Sequence, residues 1–199
     1  MARQELIGVY RLLARSLAYP DENFVWQVRD AIGQLPVDYW NSPHMPFSEL
    51  IEGLGHMAQL PLEQIQGEYT RLFIAAFPQV PCPPYESVYL EGRLMGDAAE
   101  VLDSLYRRWG LVVDGEDVDH AGAELEFEAF LLALDTPDSQ SAAVDFLKEH
   151  LLTWLPQLAS DIVRESNLLF YRSVGRLLVA VLEEHAALVL PNAIRTIRR

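Results

Sequence analysis

Apolar side chains recur along this chain at intervals of three and four residues, which is the spacing of a helix that buries one face. The first such run, residues 6–17, predicts an amino-terminal helix. Tyr19-Pro20-Asp21 should end that helix and offer Asp21 as the cap of a second one. Because no segment alternates apolar and polar residues between hairpin turns, the pattern predicts an all-α protein.

Further runs of the same spacing predict helices over the rest of the chain. The longest is expected at about residues 168–189, with one apolar side that contains Tyr171, Val174, Leu178, Val181, Leu182 and His185. The other predicted helices are one capped by Ser48, one with Pro61 in its first turn that ends before Pro78, one capped by Asp97 and ended by Gly110, one from Asp119 to about Leu134, and two at about residues 142–155 and 156–165.

Prolines concentrate in two connections, residues 36–46 and 78–84. The second has four prolines in seven residues, which fix φ and remove hydrogen-bond donors, so it is predicted to be a stiff irregular loop. Both connections are too short to be flexible interdomain linkers. The prediction is therefore a single-domain multi-helix bundle over residues 1–199, with proline-rich connecting loops.

The charge balance limits the kinds of partner. The chain has 29 acidic and 15 basic side chains, for a formal net charge of -14, which disfavours nucleic acid and favours a cationic ligand or a basic peptide. Solubility alone is the simpler explanation of the same charge. The amino terminus lacks the unbroken apolar stretch of a secretory signal, and no later run is long enough to span a membrane, so a cytoplasmic location without stable membrane insertion is expected.

Acidic residues are densest in residues 114–128, which contain seven of them, one histidine and no lysine or arginine. If a helix starts near Asp119, then His120, Glu124 and Glu128 lie on roughly one face and could bind a divalent metal ion. A metal-dependent enzyme is thus one alternative. A solvated acidic face would explain Glu124 and Glu128 without a metal, and an N-cap would explain Asp119.

Catalytic machinery is not visible in the sequence. Cys82, the only cysteine, lies between prolines with no local motif that identifies a histidine partner, and no glycine-rich phosphate loop is present. The chain is therefore predicted to bind a polypeptide, without a cofactor of its own. Tyr85 and Tyr89, on either side of Glu86, either anchor the proline loop to the core or form a wall for a peptide whose arginine pairs with Glu86.

Four motifs in this order resemble the TorD/DmsD/NarJ group of molybdoenzyme-assembly chaperones. They are Glu68-Tyr69-x-x-Leu72-Phe73, Pro81-Cys82-Pro83-Pro84-Tyr85-Glu86-Ser87-Val88-Tyr89, Leu94-Met95-Gly96, and Asp119-His120-x-Gly122-x-Glu124-Leu125-Glu126-Phe127. The proline loop most resembles the branch that serves type II enzymes of the dimethyl sulfoxide reductase family.

The resemblance implies a cytoplasmic chaperone rather than an enzyme. Its partner would be the catalytic subunit of a molybdenum-cofactor oxidoreductase, bound as the apo form or through an amino-terminal leader that in many cases carries twin arginines and an apolar stretch. Binding would assist cofactor insertion and hold back export until assembly is complete. A general acidic adaptor without leader specificity is the remaining alternative.

The resemblance also suggests where a leader would bind. The family's peptide-binding positions include an acid three residues before an Asp-His pair, matched here by Glu116, Asp119 and His120, although Asp117 replaces a frequent proline. Ala121 also stands where a larger aliphatic residue is usual, and Glu128 where methionine is frequent. Carboxylates at Glu86, Glu116 and Asp119 are expected to pair the leader's arginines. The candidate peptide-binding residues are Tyr85, Glu86, Tyr89, Glu116, Asp119, His120 and Glu124.

Overall fold

The structure is a computed structural model that describes residues 2–36, 45–113 and 118–190. These residues form helices joined by short turns, and the described ranges contain no β-strand. The all-α prediction is confirmed. The helices are α1 (Arg3–Ser16), α2 (Phe24–Gly33), α3 (Phe47–Met57), α4 (Leu62–Tyr69), α5 (Glu86–Glu91), α6 (Asp97–Arg108), α7 (Ala121–Leu134), α8 (Pro137–Phe146), α9 (Leu152–Glu165) and α10 (Leu169–Val189), with π-helical turns at Thr70–Ile74 and Leu147–Leu151.

The long helix α10 lies at the centre of the bundle and packs against α1, α3 and α9. Its predicted apolar side is buried in full, from Tyr171 to His185. Helix α1 packs against both α10 and α7. One continuous cluster of buried apolar side chains joins these helices.

Two glycines allow the backbones around α10 to approach closely. A Cβ at Gly53 would lie 2.6 Å from the backbone nitrogen of Phe170, where α3 crosses α10. A Cβ at Gly175 would lie 2.7 Å from the carbonyl oxygen of Ala159, where α10 meets α9. Both distances are too short for a side chain, so glycine is required at each crossing.

Several predicted helix caps are wrong by one or two residues. Helix α2 begins at Phe24, and Asp21 instead accepts a hydrogen bond from the backbone N–H of Asn23 at 2.8 Å. Ser48 is the second residue of α3 rather than its cap. Asp97 is the first residue of α6, and the carboxylate of Glu91 caps that helix by accepting the N–H groups of Asp97 and Ala98, each at 3.0 Å.

The boundaries predicted in the carboxyl-terminal half also need correction. Helix α8 begins at Pro137, and Thr136 caps it by accepting the N–H of Ser139 at 3.1 Å. The predicted break at Pro156 is wrong, because α9 continues through it to Glu165. Pro156 removes the donor to the carbonyl of Leu152, the residue at which the π-helical turn gives way to α9, so the loss falls where the hydrogen-bond register already changes.

The proline loop at residues 78–84 is irregular, as predicted. Of the other proline-rich connection, residues 37–44 lie outside the described ranges. None of the helices in the described ranges is long and apolar enough to cross a membrane.

Candidate functional site

The proline loop and the start of α7 meet in a short antiparallel contact. The backbone N–H of Glu86 donates to the carbonyl of Asp119, and the N–H of Ala121 donates to the carbonyl of Pro84, both at 2.9 Å. Tyr85 and His120 form the resulting isolated bridge. Two regions that the sequence analysis selected separately, the proline loop and the Asp-His pair, are therefore neighbours.

The N-cap of α7 is His120 and not Asp119. Nδ1 of His120 accepts the N–H of Gly122 at 2.9 Å. Asp119 is buried, and its Oδ2 accepts the N–H of Ser87 at 2.9 Å, at the start of α5. His120 has an extended backbone, in which consecutive side chains point to opposite sides, so one faces α7 and the other faces α5.

Glu86 and Glu124 point into the protein rather than toward solvent. Glu86 is 1% exposed, and its Oε2 lies 3.0 Å from Nδ1 of His150. Glu124 is fully buried, and its Oε2 accepts the indole N–H of Trp154 at 3.1 Å. Burial raises the pKa of Glu124, and the nearby charges of Glu86 and Asp119 raise it further.

This burial corrects two expectations. The carboxylates of Glu86 and Asp119 are not placed on the surface where an arginine of a peptide could reach them, and Glu124 is not part of a solvated face. Glu116 and Asp117 lie outside the described residues. Of the seven candidates, Tyr85, Tyr89 and His120 line open cavities, whereas Glu86, Asp119 and Glu124 are buried and bind neighbouring elements.

Glu128 is also buried, in a second polar cluster between α1, α7 and α10. Its Oε1 lies 3.6 Å from Nδ1 of His185, and the same Nδ1 lies 2.8 Å from the hydroxyl oxygen of Tyr10, with which it forms a hydrogen bond. The explanation of Glu128 by a solvated face is therefore wrong as well. The side chains of His120, Glu124 and Glu128 each contact different residues. Within the described ranges, no three His, Cys, Asp or Glu side chains are placed to hold a metal ion.

The open part of the site consists of two adjoining cavities of about 550 and 530 Å³ that share Phe73, Ile74 and Tyr85. We call them together the Tyr85 groove. The first lies among α1, the π-helical turn Thr70–Ile74 and the start of α7. The second lies along the proline loop and α5.

The surface around the Tyr85 groove is mainly apolar. Tyr19, Ile74 and Leu94 line it, and each is more than half exposed. Phe77, three residues beyond Ile74, is 99% exposed. Isolated apolar side chains are common on protein surfaces, but several beside one cavity are typical of a binding surface.

Glu126 is the accessible acid among the residues that line the groove. Its side chain is 56% exposed, and its Oε2 lies 4.0 Å from Nε of Arg11. Partial burial raises the pKa of its carboxyl group. The sequence analysis did not select Glu126 or Ile74. Ile74 lies outside the apolar stripe of its helix, and this position was the signal in the sequence that its side chain is exposed.

Both tyrosines line the Tyr85 groove, and Tyr89 also serves as an anchor. Tyr89 anchors α5: its hydroxyl donates to Asp161 at 3.0 Å, and its ring lies 5.5 Å from that of Trp154. Tyr85 lines both cavities, with its ring 5.4 Å from the ring of His120. Cys82 is a fully buried residue of the proline loop, and burial raises the pKa of its thiol to about 12, so it is not a nucleophile at neutral pH.

The fold and the site define an all-helical protein with an open apolar groove, and comparisons with known proteins place it in a family. The sequence profile of the nitrate reductase delta subunit family matches residues 43–160, and the chain belongs to this family. It is a molybdoenzyme-assembly chaperone of the TorD/NarJ kind, not an enzyme.

Individual relatives agree with this assignment. The perchlorate reductase assembly chaperone of Dechloromonas aromatica is 29% identical over 77% of this chain and 76% of that protein. The chaperone TorD of Vibrio cholerae is 31% identical over 51% of each chain, so the match spans about half of that relative. A redox enzyme maturation protein from Archaeoglobus fulgidus has the same fold, with a TM-score of 0.64, 25% identity, and coverage of 86% of this chain and 91% of the other.

Proposed function

We propose that the whole chain, residues 1–199, acts in the cytoplasm as one chaperone domain that binds the amino-terminal leader of a molybdoenzyme catalytic subunit. Leader binding would hold the subunit back from export until its cofactor is inserted. The client would be a type II enzyme of the dimethyl sulfoxide reductase family. The likeness to a perchlorate reductase assembly chaperone supports that choice of client.

The observation that carries the proposal is the Tyr85 groove. A leader with an apolar stretch needs an open apolar surface, and Phe73, Ile74 and Tyr85 supply one that continues across both cavities. The loop that forms one wall is pre-organised, because prolines restrict it and two backbone hydrogen bonds join it to Asp119 and Ala121. Little conformational entropy is then lost on binding.

Arginines of a leader would meet a different set of carboxylates from the one expected. Glu126 is accessible at the groove, and Glu116 is retained as a candidate from the sequence, whereas Glu86 and Asp119 are buried. In this proposal Glu86, Asp119 and Glu124 are positioning residues that hold Tyr85 and His120 in place. The formal net charge of -14 favours the approach of a basic leader at long range.

A calorimetric titration with the client's leader peptide tests the proposal. Tyr85→Ala should weaken the affinity by about tenfold or more, because it removes the aromatic wall shared by both cavities. Leu188→Ala is the matched control, since it truncates a half-exposed apolar side chain that lines neither cavity, and it should leave the affinity unchanged. Equal affinities for wild type and Tyr85→Ala would exclude the Tyr85 groove as the leader site.

A second titration separates a leader-specific chaperone from a general acidic adaptor. Replacing the leader's arginine pair with glutamines should weaken binding to this chain by about tenfold, because charge-assisted hydrogen bonds are lost. Glu126→Gln should remove most of that difference between the two peptides. An adaptor without leader specificity would bind both peptides alike.

A further inference from the structure

A second groove lies between α6 and α8. It consists of two adjoining cavities of about 550 and 600 Å³ that share Leu105, Arg108, Glu149 and His150. We call it the acidic groove. None of the residues that line it also lines the Tyr85 groove.

The floor of the acidic groove is apolar and aromatic. Its accessible part consists of Val101, which is 54% exposed, and of Leu105 and Trp109, which are partly buried. Phe127, Leu131 and Phe146 lie behind them and are buried. The rings of Phe127 and Phe146 pack edge to face, with their centroids 4.9 Å apart. The accessible indole of Trp109 can receive aliphatic side chains and can also interact with a cation.

The rim of the acidic groove has an excess of unpaired negative charge. The rim acids Glu100, Asp138, Asp145 and Glu149 are exposed, and no lysine or arginine in the described part of the chain pairs with any of them. Neighbouring acids differ, because Asp97 pairs with Arg93 and Asp103 pairs with Arg107. Arg108 is the one arginine among the lining residues.

The spacing of these acids indicates the shape of a partner. Asp138, Asp145 and Glu149 lie at i, i+7 and i+11 along α8 and the π-helical turn that follows it. That row is about 16 Å long at the rise of an α-helix. A helix laid along the groove would present basic residues at the same intervals while its apolar face lies on the floor.

We propose that the acidic groove binds a basic amphipathic helical segment of a partner polypeptide. Apolar side chains of the segment lie on Val101, Leu105 and Trp109, and its arginines or lysines pair with Asp145, Glu149 and Glu100. This site is separate from the Tyr85 groove and does not depend on leader binding there.

The probe for the experiment is a synthetic peptide of about 15 residues, long enough to form a helix on the surface. It is acetylated and amidated, carries leucine and alanine on one face, and has arginines at i, i+4, i+7 and i+11 on the other. Calorimetry measures its affinity for the full chain. The matched control peptide has glutamine in place of each arginine and should bind at least about tenfold more weakly.

Paired variants locate the bound peptide. Asp145→Asn with Glu149→Gln should weaken its affinity by about tenfold, since two charge-assisted contacts are lost. Glu52→Gln with Glu63→Gln changes the net charge equally on exposed positions that line neither groove, and should change the affinity by less than about twofold. Trp109→Ala should weaken binding as strongly as the rim pair.

Three outcomes would overturn the proposal. Absence of measurable binding would exclude a site for such a segment. Equal weakening by the rim pair and the control pair would mean long-range charge attraction without a site. Loss of binding in Tyr85→Ala, with full binding in the rim pair, would place the peptide in the Tyr85 groove instead.

Discussion

Tyr10, Glu128 and His185 form a buried polar cluster in which burial favours the uncharged form of each group. Burial raises the pKa of Glu128 and lowers the pKa of His185 to about 4. Burial also raises the pKa of the Tyr10 hydroxyl, whose oxygen lies 2.8 Å from Nδ1 of His185. No hydrogen-bond donor within the described residues reaches either carboxyl oxygen of Glu128.

The first prediction concerns Glu128→Gln. Because the pKa of Glu128 is higher in the folded chain than in the unfolded one, the folded state holds the proton longer, and wild-type stability falls as the pH rises through this window. The variant lacks this penalty. Its free energy of unfolding should therefore rise relative to wild type, by at most about 1.4 kcal/mol per pH unit, from about pH 4.5 upward.

Urea unfolding over a pH series measures this difference. Glu52→Gln is the control, because that carboxylate lies at an exposed position of α3 and meets water in both states. Its difference from wild type should not change with pH. Parallel stability profiles for Glu128→Gln and wild type would contradict the raised pKa of Glu128.

At the scale of elements, α5 is a six-residue helix that side-chain hydrogen bonds fix at both ends. Asp119 accepts the N–H of Ser87 at its start, while Glu91 at its end caps the following helix α6. A helix this short is not stable by itself. Its position, and with it that of Tyr85, depends on these contacts and on the His150–Glu86 pair.

The second prediction concerns the crossing of α9 and α10. Gly175→Ala should lower the free energy of unfolding by about 1–3 kcal/mol, because the added methyl group would lie 2.7 Å from the carbonyl oxygen of Ala159 and force the helices apart. Chemical denaturation measures the change.

Gly55→Ala is the matched control for Gly175→Ala. Gly55 lies on an exposed part of α3, and nothing lies within 4 Å of a Cβ built there. The same substitution should therefore stabilise the chain by up to about 1 kcal/mol through higher helix propensity. Similar effects at both positions would mean that α9 and α10 do not cross as closely as the structure has them.

At the scale of the whole molecule, the acids that make up the formal charge of -14 are not equally accessible to a partner. Burial raises the pKa values of Glu124 and Glu128, so both carboxyl groups hold protons more strongly than surface glutamates do. The electrostatic field that attracts a basic partner therefore comes mainly from the exposed acids. Those around the acidic groove and Glu126 at the Tyr85 groove lie where a polypeptide can approach.

The third prediction follows from that field. Raising the ionic strength from about 0.1 M to about 1 M shortens the screening length from about 10 Å to about 3 Å and should weaken leader binding by roughly tenfold. Calorimetry at both salt concentrations measures the change. A leader with glutamines in place of its arginines should show a much smaller salt dependence, and equal dependence for both leaders would argue against arginine recognition.

Local patterns predicted much of the fold correctly. The run at residues 6–17 and the buried side of α10 follow from helical spacing, and the irregular proline loop follows from the geometry of proline. Cap positions were less accurate. At Asp97 the capping carboxylate comes from Glu91, six residues earlier, and no local rule selects it.

The sequence by itself determined the helices, the irregular proline loop and, by resemblance, the chaperone family, because periodicity, proline geometry and motif order are properties of neighbouring residues. Only the tertiary structure decided which acids are accessible. Glu86 meets His150, and Glu128 meets His185, each more than fifty residues away in sequence. The same helical spacing that suggested a solvated acidic face places Glu124 and Glu128 in the core, because α1, α9 and α10 cover that side of α7.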